Sequence, residues 1–316
     1  MRRKRLCNVM DGILILNKPA GITSFGAVAR VRGITHVRKV GHAGTLDPMA
    51  TGVLPLFLGR ATRAIGLLPC NDKTYIARMR LGVRTDTGDC TGKVLETRPV
   101  CAGRSEVERA LPAFTGAILQ VPPMYSAVHK NGERLYELAR RGEVVEREAR
   151  PVTIYALTLL DVPTEAGEYA LSVSCSSGTY IRTLVEDIGA SLGCGATMTA
   201  LQRTAAAGFS IAQARSIEEV EQIARAGMLQ DIVLDVQHPF DILNGITITP
   251  KQVTRFCNGG FLSLERVEGA PSSGLCRVHA PDSSFLGLGE IDQGQGMLRV
   301  KCVFAGGEGN GNIPCG

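Results

Sequence analysis

The chain has 316 residues, of which 44% are hydrophobic, and a formal net charge of +5, which predicts a globular protein that can bury a full-sized core. No stretch reaches the roughly 18 consecutive apolar residues that cross a bilayer, and the basic start lacks the apolar run of a secretory signal, so we expect a cytosolic protein without membrane contact. The ten cysteines include no C-x-x-C pair and no zinc-type Cys/His spacing, which favours free thiols over disulfides or a metal site.

Short apolar runs and period-two patterns predict strands in the first part of the chain. GILILNKP at 12–19 is typical of a buried strand that ends at a proline. KTYIARMRLGV at 73–83 alternates apolar and polar side chains, as a strand with one packed face does. Ser105 and Glu108 form a capping-box pattern that predicts the start of a helix. The charged segment 124–150 predicts an exposed insertion with a short helix.

Both kinds of element continue along the rest of the chain without a regular βαβ repeat. GTYIRTLVEDIGASLG predicts a helix stopped by Gly193, and Ser216 with Glu219 predicts the cap of another. Beyond a turn-rich stretch at 240–246, short runs separated by Gly, Ser and Asp predict a small β-rich module. The predicted fold class is therefore α+β with a mixed sheet.

Positive charge is concentrated at the N-terminal end. Residues 1–63 carry eleven Lys or Arg and two acidic residues, a net charge of +9, which leaves −4 for the remaining 253 residues. Such a block is either a solvated face or a nucleic-acid surface. The charge by itself leaves both alternatives open.

The loop GHAGTLDPMATG presents a single carboxylate, that of Asp47. Pro48 biases Asp47 toward an extended backbone, and Gly41, Gly44 and Gly52 are expected to let a ligand approach the main chain closely. This arrangement is compatible with a catalytic carboxylate. An isolated loop aspartate more often caps a turn or a helix, and the spacing does not decide between the two.

Four other side chains are candidates for the same site. His42 is expected to contact a ligand rather than act as a base, because no Ser or Cys nucleophile lies nearby in sequence. Arg182, if buried beside Asp47, would keep that carboxylate ionised. Tyr75 and Tyr180 are either core aromatics or platforms for a base. A phosphatase with an aspartyl nucleophile would need a second carboxylate nearby, and a phosphate-binding loop would need the Walker spacing; the sequence has neither at this loop. An RNA enzyme that acts on an extruded base is compatible with these residues.

Six blocks of the sequence resemble the TruB-type tRNA pseudouridine synthases, in the order that the family has them. The blocks are GILILNKPAGITSF at 12–25, GHAGTLDPMATGVLPLFLGRATR at 41–63, KTYIARMRLGVRTDTGDCTG at 73–92, QVPPMYSAVHKNGERLYELARRG at 120–142, SCSSGTYIRTLVEDIGASLG at 174–193 and LQRTAAAGF at 201–209. Together they span nearly all of 12–209, and the second block is the family's signature loop.

The resemblance implies that the T-loop uridine of tRNA, conventionally position 55, is isomerised to pseudouridine after it flips out of the loop, with neither cofactor nor metal. By motif, Asp47 is the nucleophile, Tyr75 stacks on the target base, Arg182 pairs with Asp47, and Asp89 of TDTGD holds that arginine. The residues expected to contact the substrate are His42, Tyr180, Leu201, Lys18, Lys130, Arg140 and Arg141. Leu201 is the one that lines the uracil pocket.

The resemblance also implies the organisation of the chain. It predicts a pseudouridine synthase fold, with a mixed, largely antiparallel central sheet flanked by helices, and a small C-terminal β-rich PUA-like domain. The predicted segments are a basic extension at 1–11, the catalytic domain at 12–243 with a thumb insertion at 124–150, the PUA-like RNA-binding domain at 244–304, and a disordered tail at 305–316. In the family's common pattern a lysine stands at the place of His129, so one phosphate contact is expected to be weaker here.

The expected partner is tRNA, bound at its T arm and, through the C-terminal domain, at its acceptor stem. The protein is expected to act alone, as a monomer, without an obligate protein partner. Two alternatives stay open. One is a guide-RNA-dependent synthase of the dyskerin type, against which the long thumb argues, and the other is a non-catalytic tRNA-binding or folding protein in which Asp47 is structural.

Overall fold

The computed structural model describes residues 10–130 and 132–305. Almost all of the predicted basic extension and of the predicted C-terminal tail therefore lies outside the described residues. Within the described part of the chain, no helix is long and apolar enough to cross a membrane.

The elements are numbered in chain order. The strands are β1 (Gly12–Lys18), β2 (Val40–His42), β3 (Thr51–Leu58), β4 (Lys73–Leu81), β5 (Val83–Thr85), β6 (Val94–Thr97), β7 (Gly116–Gln120), β8 (His129–Lys130), β9 (Glu133–Arg134), β10 (Arg150–Leu159), β11 (Glu168–Cys175), β12 (Ala196–Ala206), β13 (Phe209–Ser210), β14 (Val233–Leu234), β15 (Gly245–Thr247), β16 (Leu262–Ser263), β17 (Gly274–His279), β18 (Phe285–Asp292) and β19 (Met297–Val303). The α-helices are α1 (Ser24–Thr35), α2 (Arg104–Ala110), α3 (Leu135–Arg140), α4 (Ile181–Ser191), α5 (Ile217–Arg225) and α6 (Pro250–Cys257). Short 3₁₀ helices span Gly59–Leu67, Leu111–Phe114, Ile211–Gln213, Leu229–Ile232, His238–Phe240, Leu264–Arg266 and Gln293–Gln295.

The larger sheet runs in the order β14-β1-β3-β12-β4-β11-β10-β7, with β2 paired to β3 and β13 to β12. Its pairs are antiparallel except β12 with β3. The apolar run predicted as a strand at 12–19 forms β1, which pairs with β3, and both strands are buried along nearly their whole length. The α+β class with a mixed, largely antiparallel sheet is confirmed.

Strand β4 follows the alternation predicted from its sequence. Tyr75, Ala77, Met79 and Leu81 are buried and the residues between them are partly exposed. The buried face of β4 packs in a core with residues of α4, α1 and α5, which cover one face of the sheet. Since β4 and β12 are neighbours in the middle of the sheet, side chains on this face are held on rigid strands.

A second sheet, in the order β15-β17-β18-β19-β16, forms the C-terminal β-rich domain. It packs against the larger sheet through a shared apolar cluster in which Ile13 and Phe57 meet Leu288 and Phe304. The C-terminal domain therefore rests on the strand pair β1 and β3, whose ends carry the loops described below.

The helix starts only partly match the predictions from sequence. The Ser216 hydroxyl accepts the backbone N–H of Glu219 at 3.1 Å, so the predicted cap of α5 is confirmed. The predicted cap of α2 is wrong, because α2 begins one residue before Ser105. Its first turn is closed instead by the Glu106 carboxylate, which accepts the backbone N–H of Gly103 at 3.0 Å. Two acidic residues, Glu106 and Glu108, could each close the first turn of the helix. The cap that forms pairs Glu106 with Gly103, not Glu108 with Ser105.

Candidate active site

Asp47 lies in the loop between β2 and β3, and the segment after β1 fixes that loop. The Ser24 hydroxyl at the start of α1 accepts the backbone N–H of Leu46 at 2.8 Å and donates to the Leu46 carbonyl at 3.2 Å. The backbone N–H of Gly21 donates to the Pro48 carbonyl at 2.8 Å. The residues on either side of Asp47 are thus bonded to one turn, which holds the carboxylate in a fixed place.

Lys18 ends β1 and has 0% of its surface exposed. Its ammonium donates to the carbonyls of Pro19 at 2.8 Å, Ile22 at 2.8 Å and Pro48 at 3.3 Å. Burial lowers the pKa of Lys18 from 10.5 to about 8, although the nearby Asp47 carboxylate raises it. The structure thus gives Lys18 the task of holding the Asp47 loop, and its predicted contact with the substrate stays a prediction.

Arg182 pairs with Asp47, as the resemblance implies. The Nε atom of Arg182 lies 3.0 Å from Oδ2 of Asp47. The rest of the guanidinium donates to the carbonyls of Thr87 at 3.1 Å and Tyr125 at 2.8 Å. Arg182 is the second residue of α4 and is 5% exposed, whereas the Asp47 side chain is 35% exposed. The arginine is therefore locked while the carboxylate keeps one open side.

A second carboxylate shares this guanidinium. Oδ2 of Asp89 lies 3.9 Å from Nε of Arg182, and its Oδ1 accepts from the Thr87 hydroxyl at 2.9 Å and from the backbone N–H of Thr91 at 3.0 Å. Burial raises the pKa of Asp47, Arg182 lowers it, and the charge of Asp89 raises it. Asp47 is therefore the single carboxylate of its loop in the sequence, but in the structure it shares the Arg182 guanidinium with Asp89.

Tyr75 and Leu201 are buried at the centre of the sheet, and Tyr75 is close enough to Asp47 for that carboxylate to raise its pKa. They are 6% and 7% exposed, on β4 and β12. Burial raises the pKa of Tyr75, and the positive charge of Arg203 lowers it. Arg203 was missed by the sequence reasoning. Arg203 comes two residues after Leu201, so both side chains lie on the same face of the strand. A charged residue at a position of the apolar, inward face was the feature of the sequence that could have revealed it.

His42 and Tyr180 lie at the border of the site. Burial lowers the pKa of His42, and so does the charge of Arg203. The Nδ1 atom of His42 is buried without a hydrogen-bond partner among the described residues. Tyr180 is half-buried at the start of α4, where its backbone N–H donates to Oε1 of Gln120 at 3.0 Å. Both keep a part of their surface open to a ligand.

The predicted thumb residues are held by neighbours within the insertion. Arg140 stacks on the ring of Tyr136 at 5.3 Å, and Lys130 donates to the carbonyl of Glu146. Arg141 pairs with glutamates 133 and 143 at 2.8 and 2.6 Å. Among the described residues, none of these three cations forms a bond to Asp47. The insertion reaches the site instead through the Tyr125 carbonyl that Arg182 contacts.

The glycines of the signature loop make room for the protein itself, and the expectation that they admit a ligand is wrong. A Cβ atom at Gly41 would lie 2.8 Å from Cδ1 of Ile65. One at Gly44, where φ is +90°, would lie 3.3 Å from Nη1 of Arg203. One at Gly52, where φ is +102°, would lie 2.1 Å from the Arg203 carbonyl oxygen. Gly52 is thus required by the close approach of the Arg203 backbone, whereas Gly44 is favoured by its positive φ.

Comparison with known families covers most of the chain. Residues 32–181 match the N-terminal domain of the TruB family of pseudouridylate synthases. Residues 182–241 match a C-terminal domain of tRNA pseudouridylate synthase B, and residues 245–304 match the C-terminal region of pseudouridine synthase II TruB.

Individual relatives give the same result. The chain is 45% identical over 308 residues to the tRNA pseudouridine synthase B of Ectopseudomonas mendocina, which covers 96% of this chain and 98% of that one. It is 46% identical over 293 residues to the protein of the same name from Pseudomonas syringae pv. syringae, over 91% and 94% of the two chains. Among solved structures, a Cbf5-Nop10-Gar1 complex matches with a TM-score of 0.67 and 25% identity over 88% of this chain and 78% of that one. An H/ACA RNP bound to a substrate RNA matches with a TM-score of 0.70 and 22% identity over 93% and 85%, which shows the fold alone.

Proposed function

The chain belongs to the TruB family of pseudouridylate synthases, enzymes that modify tRNA, and we propose that it isomerises the T-loop uridine at position 55. Isomerisation breaks the bond between N1 of uracil and C1′ of ribose and forms one between C5 and C1′. The proton on C5 leaves and N1 gains one, so no redox partner is needed. The observation that carries the proposal is the ion pair between the buried Arg182 and the half-buried Asp47.

Asp47 is the nucleophile in this proposal. A carboxylate must be ionised to attack, and burial opposes ionisation because it raises the pKa of Asp47. The guanidinium of Arg182 at 3.0 Å counters that effect. With 35% of the Asp47 side chain exposed, its free oxygen can reach a substrate. The carboxylate is thus charged, fixed and open on one side.

The target base flips out of the T loop to reach Asp47. Because Tyr75 and Leu201 are only 6% and 7% exposed, a base that stacks on Tyr75 requires the site to open. The insertion is the segment suited to that movement, since Tyr125 at its start contacts Arg182 through one carbonyl. Extrusion of a base costs a few kcal/mol, which stacking on an aromatic ring offsets.

Cations without acidic partners supply the phosphate contacts. Arg32, Arg38 and Lys39 are exposed and form no ion pair among the described residues. In the C-terminal domain, the guanidinium of Arg255 lies 4.7 Å from the ring centre of Phe261, which is 46% exposed. An exposed cation beside an aromatic ring can contact the phosphate and sugar of an RNA strand. We assign the T arm to the first group and the acceptor stem to the second.

We propose that the protein acts as a monomer in the cytosol, without a guide RNA or an obligate protein partner. The relatives that are about 45% identical are named as tRNA enzymes, whereas the structural neighbours described with Nop10 and Gar1 are far less similar in sequence. The guide-RNA-dependent alternative and the non-catalytic tRNA-folding alternative both predict no turnover on tRNA by this chain alone.

The experiment is release of tritium from a tRNA transcript that carries [5-³H]uridine, incubated with the purified protein and nothing else. Replacement of the C5–H bond by the C5–C1′ bond releases tritium to water. The proposal expects release with wild type, none with Asp47→Asn, and unchanged tRNA binding by both. Binding without release by the wild type would support one of the two alternatives.

A further inference from the structure

Among the residues that the structure describes, Arg203 is the largest fully buried side chain, with 0% of its surface exposed. Among the described residues no carboxylate pairs with it, and the one side chain that favours its charge is that of Tyr75. A guanidinium that is buried without a carboxylate is costly, so its presence needs a compensating set of contacts. None of the roles assigned above to other residues requires it.

The guanidinium binds three backbone carbonyls. Its Nε donates to Val53 at 2.7 Å, Nη2 to Gly44 at 3.0 Å and Nη1 to Thr45 at 3.3 Å. Gly44 and Thr45 come just before Asp47, and Val53 lies on β3 just after its loop. One side chain therefore clamps both ends of the loop that carries Asp47.

The backbone of Arg203 connects this clamp to the strand of Tyr75. In the sheet, Arg203 lies opposite Gly52 on β3 and opposite Tyr75 on β4. Directly opposed residues of antiparallel strands project to the same face with neighbouring Cβ atoms. Arg203 is also close enough to Tyr75 for its positive charge to lower the pKa of that phenol, against the effect of burial. Gly44 and Gly52 leave the space that this arrangement needs.

We propose that Arg203 is a positioning residue that ties the Asp47 loop to Tyr75 and holds the Tyr75 hydroxyl beside a buried positive charge. The inference rests on the proposed function, in which Asp47 and Tyr75 act on the uridine. A positive charge beside a phenol favours its deprotonated form, so Arg203 lowers the pH at which Tyr75 can accept a proton. It also fixes the spacing between the two groups that act on the substrate.

Other charged and titratable groups face the pair and stay constant in the test. The groups that influence the Tyr75 hydroxyl, besides Arg203, are those of Asp47 and Cys175. The groups that feel the charge of Arg203 are Lys18, His42, Lys73 and Tyr75. Because Arg203 is the cation among them whose charge lowers the pKa of Tyr75, its removal raises that pKa.

The test measures single-turnover pseudouridine formation at saturating tRNA from pH 6 to 10, in wild type, Arg203→Lys, Arg203→Gln and Tyr75→Phe. Lysine keeps the positive charge but lacks the planar guanidinium that binds the three carbonyls. We therefore expect the rate to fall about tenfold while its dependence on pH stays as in wild type. Glutamine removes the charge, so we expect a fall of more than about a hundredfold, and the pH range in which the rate rises with Tyr75 deprotonation should move to higher pH. In the Tyr75→Phe background, Arg203→Gln is expected to leave the pH profile unchanged.

Arg78→Met is the matched control, because Arg78 lies on the same strand as Tyr75, is partly exposed and pairs with Glu168. We expect a wild-type rate and pH profile from it. A rate loss in Arg203→Gln that is equal at every pH and follows its melting temperature overturns the proposal. If Arg203→Gln does not fold, Arg203→Lys decides, since a wild-type rate in that variant overturns the positioning role. A wild type that is inactive contradicts the proposed function instead.

Discussion

Replacement of Arg182 by methionine tests the electrostatic account of Asp47. Removal of one partner from a buried ion pair costs about 3–5 kcal/mol. Since 35% of the Asp47 side chain is exposed, solvent screening reduces this to about 2–3 kcal/mol, or roughly 30- to 150-fold in rate. The affinity for tRNA should change less than about threefold, because Arg182 is 5% exposed and has no surface for a phosphate.

The assay is single-turnover conversion of a tRNA transcript from pH 5 to 8, beside filter binding and thermal melting. Asp89→Asn is the companion variant. Loss of Arg182 raises the pKa of Asp47, so the acid limb of the rate moves to higher pH, whereas loss of the Asp89 charge lowers that pKa and moves the limb to lower pH. Limbs that move in the same direction, or a loss of affinity that matches the loss of rate, would refute the reasoning.

Three further predictions concern stability and binding. Relative to Lys18→Met, the wild-type free energy of unfolding should rise between about pH 8 and 10.5, because the folded pKa of Lys18 is about 8 and the unfolded chain binds the proton more tightly. Denaturant titrations of both proteins measure this. A difference in unfolding free energy between the two proteins that does not change with pH contradicts the prediction. Arg255→Ala combined with Phe261→Ala should weaken binding of full-length tRNA about tenfold and leave an isolated T-arm hairpin unaffected, as gel shifts would show. Gly52→Ala should destabilise the fold by about 3 kcal/mol or more through its 2.1 Å contact, whereas Gly33→Ala on the open side of α1 should stabilise it by about 0.5–1 kcal/mol. Thermal melts measure both, and a Gly52→Ala variant as stable as wild type, or a Gly33→Ala variant less stable than wild type, would contradict the respective prediction.

Local patterns in the sequence were enough to predict several elements. The alternation of residues 75–81 gives the packed face of β4, and the Ser216 cap gives the start of α5. These succeed because each depends on residues near each other in the chain. The pair of Asp47 and Arg182 joins residues far apart, and it was accessible only through the family resemblance.

The parts that sequence reasoning missed depend on contacts that cross the sheet. Gly44 and Gly52 appear in the sequence as openings for a ligand, but the space beside them is filled by Arg203, about 150 residues later in the chain. The approach of Asp89 to the guanidinium of Arg182 also joins distant residues, and only the family resemblance predicted it. A local pattern cannot reveal which distant side chain fills a given space.

The central claim is that Asp47 acts at one uridine of the T loop. The most direct test maps pseudouridine by carbodiimide labelling and primer extension on an unmodified tRNA transcript, with wild type or with Asp47→Asn and no other factor. The account predicts one strong stop at position 55 with wild type and none with Asp47→Asn. A stop at another position, or an equal stop with both proteins, would contradict it.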